Sequence, residues 1–220
     1  MKSCIVLSLS LVFVMAVTAC GQKKVSATKA PPTPDVKLFG VNLIKNGNAE
    51  SENGWTNADE LKTILYGEFG GGPDKGSPGP TDRGEKYFYA RTTMAQPTAI
   101  FSQKIDLTKI ADSVDKGDVR YNLGGWFGVA SSSSSMGRLR VVFLDKDEKE
   151  ISTDATAEIK EAAKPEDLAL TERSKAGSLP AGARKIRVDL EFRVFPAHLN
   201  EDADNLAFAD NLSLVLSKKP

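Results

Sequence analysis

Between Lys185 and Phe195 the chain alternates strictly. Ile186, Val188, Leu190, Phe192 and Val194 take every second position, and Lys185, Arg187, Asp189, Glu191 and Arg193 fill the places between. Successive side chains of a strand point to opposite faces, so five apolar residues against five charged ones predict a strand with one dry face and one wet face. Such a strand belongs in an antiparallel sheet, because parallel sheets are covered on both sides and read as continuous apolar runs. The same period returns at Leu139, Val141 and Phe143, alternating with Arg138 and Arg140, and at Leu212, Leu214 and Leu216, alternating with Asn211 and Ser213.

Seven further segments are predicted strands: Val41–Asn46, Leu61–Phe69, Glu85–Thr93, Ala99–Leu107, Val119–Val129, Ile151–Ile159 and Leu168–Arg173. Turn-forming clusters separate most of them, among them Asn46-Gly47, Asn53-Gly54, the serine run from Ser131 to Ser135, and Leu179-Pro180-Ala181-Gly182. Thr108–Lys116 is the one stretch with helical spacing, with Ile110 and Val114 on a common face. About ten short strands, one short helix and no alternation of strand with helix predict an all-β fold, a jelly-roll sandwich of two antiparallel sheets. Gly70–Gly84 holds six glycines and three prolines, a loop long enough to be either functional or mobile; mobility is the expected reading. The 29 basic and 29 acidic residues cancel, so the basic surplus of a nucleic-acid binder is missing. A hydrophobic content of 40% is too high for a disordered chain.

The first residues read as an address. After Lys2, an apolar run from Cys4 to Val17, broken only by serines, is about 14 residues long, short of the roughly 20 that a spanning helix needs. That is the core of a signal peptide. It leads into Val17-Thr18-Ala19-Cys20-Gly21, which resembles the bacterial lipobox. The resemblance implies removal of residues 1–19, lipidation of Cys20 and a chain held in the cell envelope, touching the membrane through its lipid anchor alone. Gly21 in place of aspartate favours the outer membrane in a host with two. Cys4 leaves with the signal, so the mature chain forms no internal disulfide. Residues 20–38 are small, polar and proline-bearing, and are expected to be a flexible tether reaching at most about 60 Å.

The two ends of the remaining segment carry recognisable motifs. Near its start stand Asn42-Leu43-Ile44, Asn46-Gly47-Asn48-Ala49-Glu50 and Gly54-Trp55; near its end, Phe208-Ala209-Asp210-Asn211-Leu212-Ser213-Leu214. Between them, in order, come Tyr87-Phe88, Phe101–Leu107, Leu123–Gly128, Val142–Asp145 and Leu179–Arg184. Together these resemble the galactose-binding-like jelly-roll domains, many of which are non-catalytic carbohydrate-binding modules of secreted bacterial proteins. The resemblance spans 39–217. It implies that Glu50 and Asp210 share a structural calcium ion with backbone carbonyls, the hard-oxygen environment that calcium takes. In one departure, Ala49 stands where the family usually has a large apolar residue.

Glycan sites present exposed aromatics beside a few polar side chains. The candidates are Trp126, Tyr87 and Tyr89, with Asn122, Arg138 and Arg140 as hydrogen-bonding partners. Tyr87 and Tyr89 lie opposite Phe88, so at least one is expected to be wet; Trp55 is expected in the core. The Gly124-Gly125 pair could host a bulge, which leaves the direction of Trp126 open. No catalytic residue is assigned. His198 is the single histidine, and neither a nucleophile elbow nor a zinc-ligand cluster occurs. The expectation is a lipid-anchored binding module for a carbohydrate or cell-envelope polymer. The alternative is a surface or periplasmic scaffold lipoprotein with a protein partner.

Overall fold

The computed structural model describes residues 37–56, 61–93, 96–130, 135–159, 168–194 and 205–219. The signal, Cys20 and nearly all of the tether lie outside them, as do His198 and most of the serine run. The described residues form nine strands: β1 (Lys62–Leu65), β2 (Lys86–Thr92), β3 (Thr98–Asp106), β4 (Val119–Val129), β5 (Ser135–Leu144), β6 (Glu150–Ala155), β7 (Thr171–Ser178), β8 (Lys185–Val194) and β9 (Asn205–Lys218). A 3₁₀ turn at Thr108–Ile110 runs into a short helix, α1 (Ala111–Asp115), that buries Val114. One sheet has five strands in the order β1-β2-β9-β4-β7, the other four in the order β3-β8-β5-β6. All pairings between named strands are antiparallel.

The alternating residues of β8 make the core as their pattern requires. Ile186, Val188, Leu190 and Phe192 are fully buried and face Phe88, Leu123, Phe127 and Leu214 of the other sheet within one apolar cluster. Trp55 joins this cluster, edge-on to Phe88 with ring centroids 6.0 Å apart. Leu38, assigned to the tether from sequence, packs into the core at 8% exposure, so the domain begins one residue earlier than expected.

Two predicted strands are cut short, Leu61–Phe69 at Leu65 and Ile151–Ile159 at Ala155, and three further segments behave differently. Val41–Asn46 does not form a strand. It follows β9 through isolated bridges at Phe39↔Leu216 and Asn42↔Val215. The Asn42 side chain does the work of a peptide unit, donating to the Leu212 carbonyl at 2.9 Å and accepting from the Leu214 amide at 3.0 Å. Left-handed backbone at Gly40 and Asn46 interrupts the extended geometry. The strand predicted at Leu168–Arg173 starts later, at Thr171, and its first residues cross the outer face of β4. Gly128 permits that crossing, since a Cβ there would stand 2.8 Å from the Ala169 carbonyl oxygen.

The third difference decides where the site residues point. A register shift does occur at Gly124–Trp126, but the extra residue is in β9: Gly124 pairs with Ser213 and Trp126 with Asp210, two steps on β4 against three on β9. Asn211, at φ 47, takes up the bulge. Core residues on β9 therefore change phase, from Ala207 and Ala209 to Leu212, Leu214 and Leu216. On β4 the phase is unbroken, with Val119, Tyr121, Leu123, Phe127 and Val129 all inward. Asn122 and Trp126 consequently face outward.

Candidate functional site

The outer face of the five-stranded sheet carries its own apolar cluster. Tyr66, Tyr87, Ala130, Leu170, Leu206 and Phe208 are buried there, and Ile64, Phe69, Tyr89 and Trp126 pack on them half-exposed. Strand register brings them together. Tyr89 pairs with Phe208 across β2 and β9, and Phe208 pairs with Gly128 across β9 and β4. Trp126 sits on β4 opposite Asp210. Tyr87 touches Phe208 edge-on at 5.3 Å and Tyr66 at 5.0 Å.

Of the six predicted ligand-surface residues, the structure brings Tyr89, Trp126 and Asn122 onto this face with their surfaces at least partly open. Tyr87 shares the face but is 0% exposed, because the chain between β1 and β2 covers it. Its hydroxyl is pressed against Gly72 and has no hydrogen-bond partner among the described residues. Burial pushes its pKa up. Arg138 and Arg140 are elsewhere. They lie on the outer face of the four-stranded sheet, so the single groove that would join them to the aromatics does not exist.

There the arginines form a charge ladder. Arg138 reaches Glu191 at 2.6 Å and Glu158 at 2.9 Å; Arg140 reaches Asp189 at 2.8 Å and Glu191 at 2.9 Å. Arg187 also pairs with Asp189 at 2.9 Å, and Ser102 donates to the same carboxylate at 2.7 Å. Asp189 and Glu191 are buried beneath the arginines, and charges so far out of water persist when paired and hydrogen-bonded. These side chains hold each other.

The two ends of the domain do meet, as the motif order implies. Leu212 donates its amide to the Gly47 carbonyl at 2.8 Å, and Leu43 donates to Leu214 at 2.8 Å. This seats Glu50 and Asp210 near each other, close enough for the Glu50 charge to act on Asp210. Asp210 is 0% exposed; its oxygens accept from the Tyr66 hydroxyl at 2.6 Å and from the Asn211 amide at 2.7 Å. Burial, with the Glu50 charge adding to it, pushes the Asp210 carboxyl up to about 6, against the lowering effect of those two hydrogen bonds and of Arg83. Burial and the neighbouring Asp210 in turn push the Tyr66 phenol up. Glu50 is exposed and accepts from the Glu85 amide at 2.8 Å and the Lys86 amide at 3.1 Å. Gly84 leaves room for it, since a Cβ there would overlap the Glu50 carboxylate. Among the described residues no group of three or more His, Cys, Asp or Glu gathers as a metal cluster. A cation at this pair would take its remaining ligands from backbone carbonyls and water.

The Gly70–Gly84 loop, expected to be mobile, is a built element. Arg83 organises it, donating to the carbonyls of Pro80 at 2.8 Å, Ser77 at 2.8 Å and Asp74 at 3.1 Å. The same guanidinium stacks over the Tyr66 ring, 5.1 Å from its centroid. The loop is also tied down from outside, by the Leu170 amide on Pro78 and the Asn211 side chain on Asp82. Sequence reading missed Tyr66, Phe69, Arg83 and Phe208. Phe208 was within reach, two residues from Asp210 on a strand; the others act through loop contacts that leave no periodic trace.

No protein-family model matches the chain, and no curated protein sequence matches it. Solved structures do. The enzymatically active domain of tailspike protein 4 from bacteriophage CBA120 superposes with a TM-score of 0.51 at 14% identity, covering 80% of this chain and 21% of that one. The chain thus spans about a fifth of the tailspike's length. The CBM22-1 xylan-binding domain from Paenibacillus barcinonensis Xyn10C aligns with 84% of this chain and 100% of its own at 16% identity, with a TM-score of 0.46. Strand order and the tailspike likeness agree on the architecture: this chain is an all-β jelly-roll sandwich of two antiparallel sheets.

Proposed function

We propose that the domain is a non-catalytic module that binds a glycan of the cell envelope or its surroundings across the outer face of the five-stranded sheet. One observation carries this reading. Tyr89 and Trp126 are half-exposed on an aromatic cluster separate from the main core, where packing alone does not require them. Rings of this kind present an apolar surface with a polar tip, which suits the C–H face of a sugar. Asn122, four residues from Trp126 on the same strand face, lies about 13 Å along it and offers a donor and an acceptor to hydroxyl groups. The motif order set out above supports the same reading, and the lipobox resemblance adds an anchor at Cys20.

The reading includes a calcium ion held by Glu50 and Asp210. The donor set fits, since it is oxygen alone and pairs a buried carboxylate with a like charge that destabilises its ionised form. A bound calcium ion would add positive charge at this pair of carboxylates, beyond what the Arg83 guanidinium supplies to Asp210. Glu50 and Asp210 would be its carboxylate ligands.

A glycan array probed at millimolar calcium, including chitohexaose and xylohexaose, tests the binding reading. Trp126→Ala and Tyr89→Ala are each expected to weaken binding about tenfold or more, the scale of losing an aromatic anchor. Arg138→Ala should leave affinity unchanged, because that side chain is on the other sheet. Absence of binding across plant, bacterial and host sugars would end the glycan reading, and recovery of one specific protein by cross-linking would replace it.

A further inference from the structure

We propose that Arg83 and Tyr66 are positioning residues that latch the 66–85 loop over the outer face of the five-stranded sheet, making Phe69 a wall of the ligand surface. The inference rests on the glycan reading for its consequence but not for the latch itself.

The loop closes at a narrow neck, where the Tyr66 amide donates to the Glu85 carbonyl at 3.0 Å. Each side of the neck is held by one carboxylate from the meeting chain ends. On the first side, the Tyr66 hydroxyl is bound by Asp210; on the second, the Glu85 and Lys86 amides are bound by Glu50. Inside the loop, Gly67 donates to Pro73 and Gly72 to Phe69, but no strand or helix supports the chain. Arg83 fills that gap. Its planar fork spans three carbonyls at once while its face lies on Tyr66, so loop interior and neck share one side chain. A lysine offers a single point of charge and cannot reproduce this geometry.

The latch fixes the shape of a hollow. A cavity of about 80 Å³ lies among Ile64, Phe69, Tyr87, Tyr89, Leu206 and Phe208. Five of these six come from β1, β2 and β9; Phe69 comes from the loop. The strands set the floor, and among the described lining residues Phe69 of the loop is the one that does not come from a strand. At that volume the hollow is well below the roughly 300 Å³ of a pocket that encloses a whole small molecule. It can take only a projecting substituent of a larger ligand lying across the face.

Hydrogen exchange on the full chain separates the possibilities. Arg83→Lys is expected to speed exchange of the loop amides, Gly67 to Ser77, about tenfold or more, from loss of charge-assisted bonds to carbonyls. Amides of β8 should be unaffected. Tyr66→Phe should speed exchange at the neck while keeping the ring under Arg83. Unchanged loop exchange in both variants overturns the latch whatever the ligand. If the loop loosens in Arg83→Lys but affinity for chitohexaose or xylohexaose stays at the wild-type value, the Phe69 wall is overturned and the glycan reading stands. If the wild-type chain binds neither these nor any array glycan, the glycan reading and the wall fail together, and exchange alone decides the latch. Faster loop exchange with a tenfold loss of affinity supports both parts.

Discussion

Gly47→Ala is expected to destabilise the domain by about 2–3 kcal/mol, the upper range for forcing volume into a packed contact. A Cβ at this position would stand 2.2 Å from the carbonyl oxygen of Leu212 and 3.3 Å from Ile44. The obstacle is the backbone of β9, which cannot rotate away as a side chain would. The entry segment must lift, and lifting it breaks the Leu212-to-Gly47 bond and strains the paired bonds of Asn42. Glu50, three residues on, moves with it. For a domain of this size the loss corresponds to about 5–10 °C in melting temperature. Gly70→Ala is the control, since a Cβ there meets nothing within 4 Å and its backbone is not left-handed. A Gly47→Ala protein that melts with the wild type would show that the entry segment is not held to β9 as described.

Chelation should produce the other large effect. If calcium binds the folded domain at Glu50 and Asp210, a hundredfold excess over its Kd stabilises the fold by about 2.7 kcal/mol. EDTA then lowers the melting temperature by about 5–10 °C. Glu50→Gln and Asp210→Asn should each abolish that response, since each removes a charge while keeping a carbonyl oxygen near its place. The two variants also separate the cation from the hydrogen bonds. A glutamine oxygen still accepts from the Glu85 amide, and an asparagine oxygen still accepts from the Tyr66 hydroxyl. Superimposable melting curves with and without chelator would refute the calcium site while leaving the contact between the chain ends intact.

Several elements were legible in the residues. The segments predicted at Ala99–Leu107, Val119–Val129 and Lys185–Phe195 match β3, β4 and β8 to within one residue at either end. Each alternates clearly enough that one face must be buried, and a slip of one residue would turn every apolar side chain outward. The helix within Thr108–Lys116 was equally readable. Strand β9 was only half readable. Its bulge at Asn211 changes phase partway along, and the need for a bulge comes from pairing with β4, ninety residues earlier.

For the site, alternation alone determined that Arg138 and Arg140 lie opposite a core stripe and that Tyr87 and Tyr89 lie opposite Phe88. Glu50 and Asp210 were singled out by motif order, and only the bulge at Asn211 turned Asp210 to the outer face. Alternation is a local property, fixed by the geometry of one strand. Tertiary structure decided what those outward faces meet. Chain topology put the arginines and the aromatics on different sheets, a folded loop held by Arg83 buried Tyr87 while leaving Tyr89 half open, and β9 drew the entry segment close enough for the Glu50 charge to act on Asp210. Each of these outcomes depends on contacts between segments far apart along the chain. No local period can encode them.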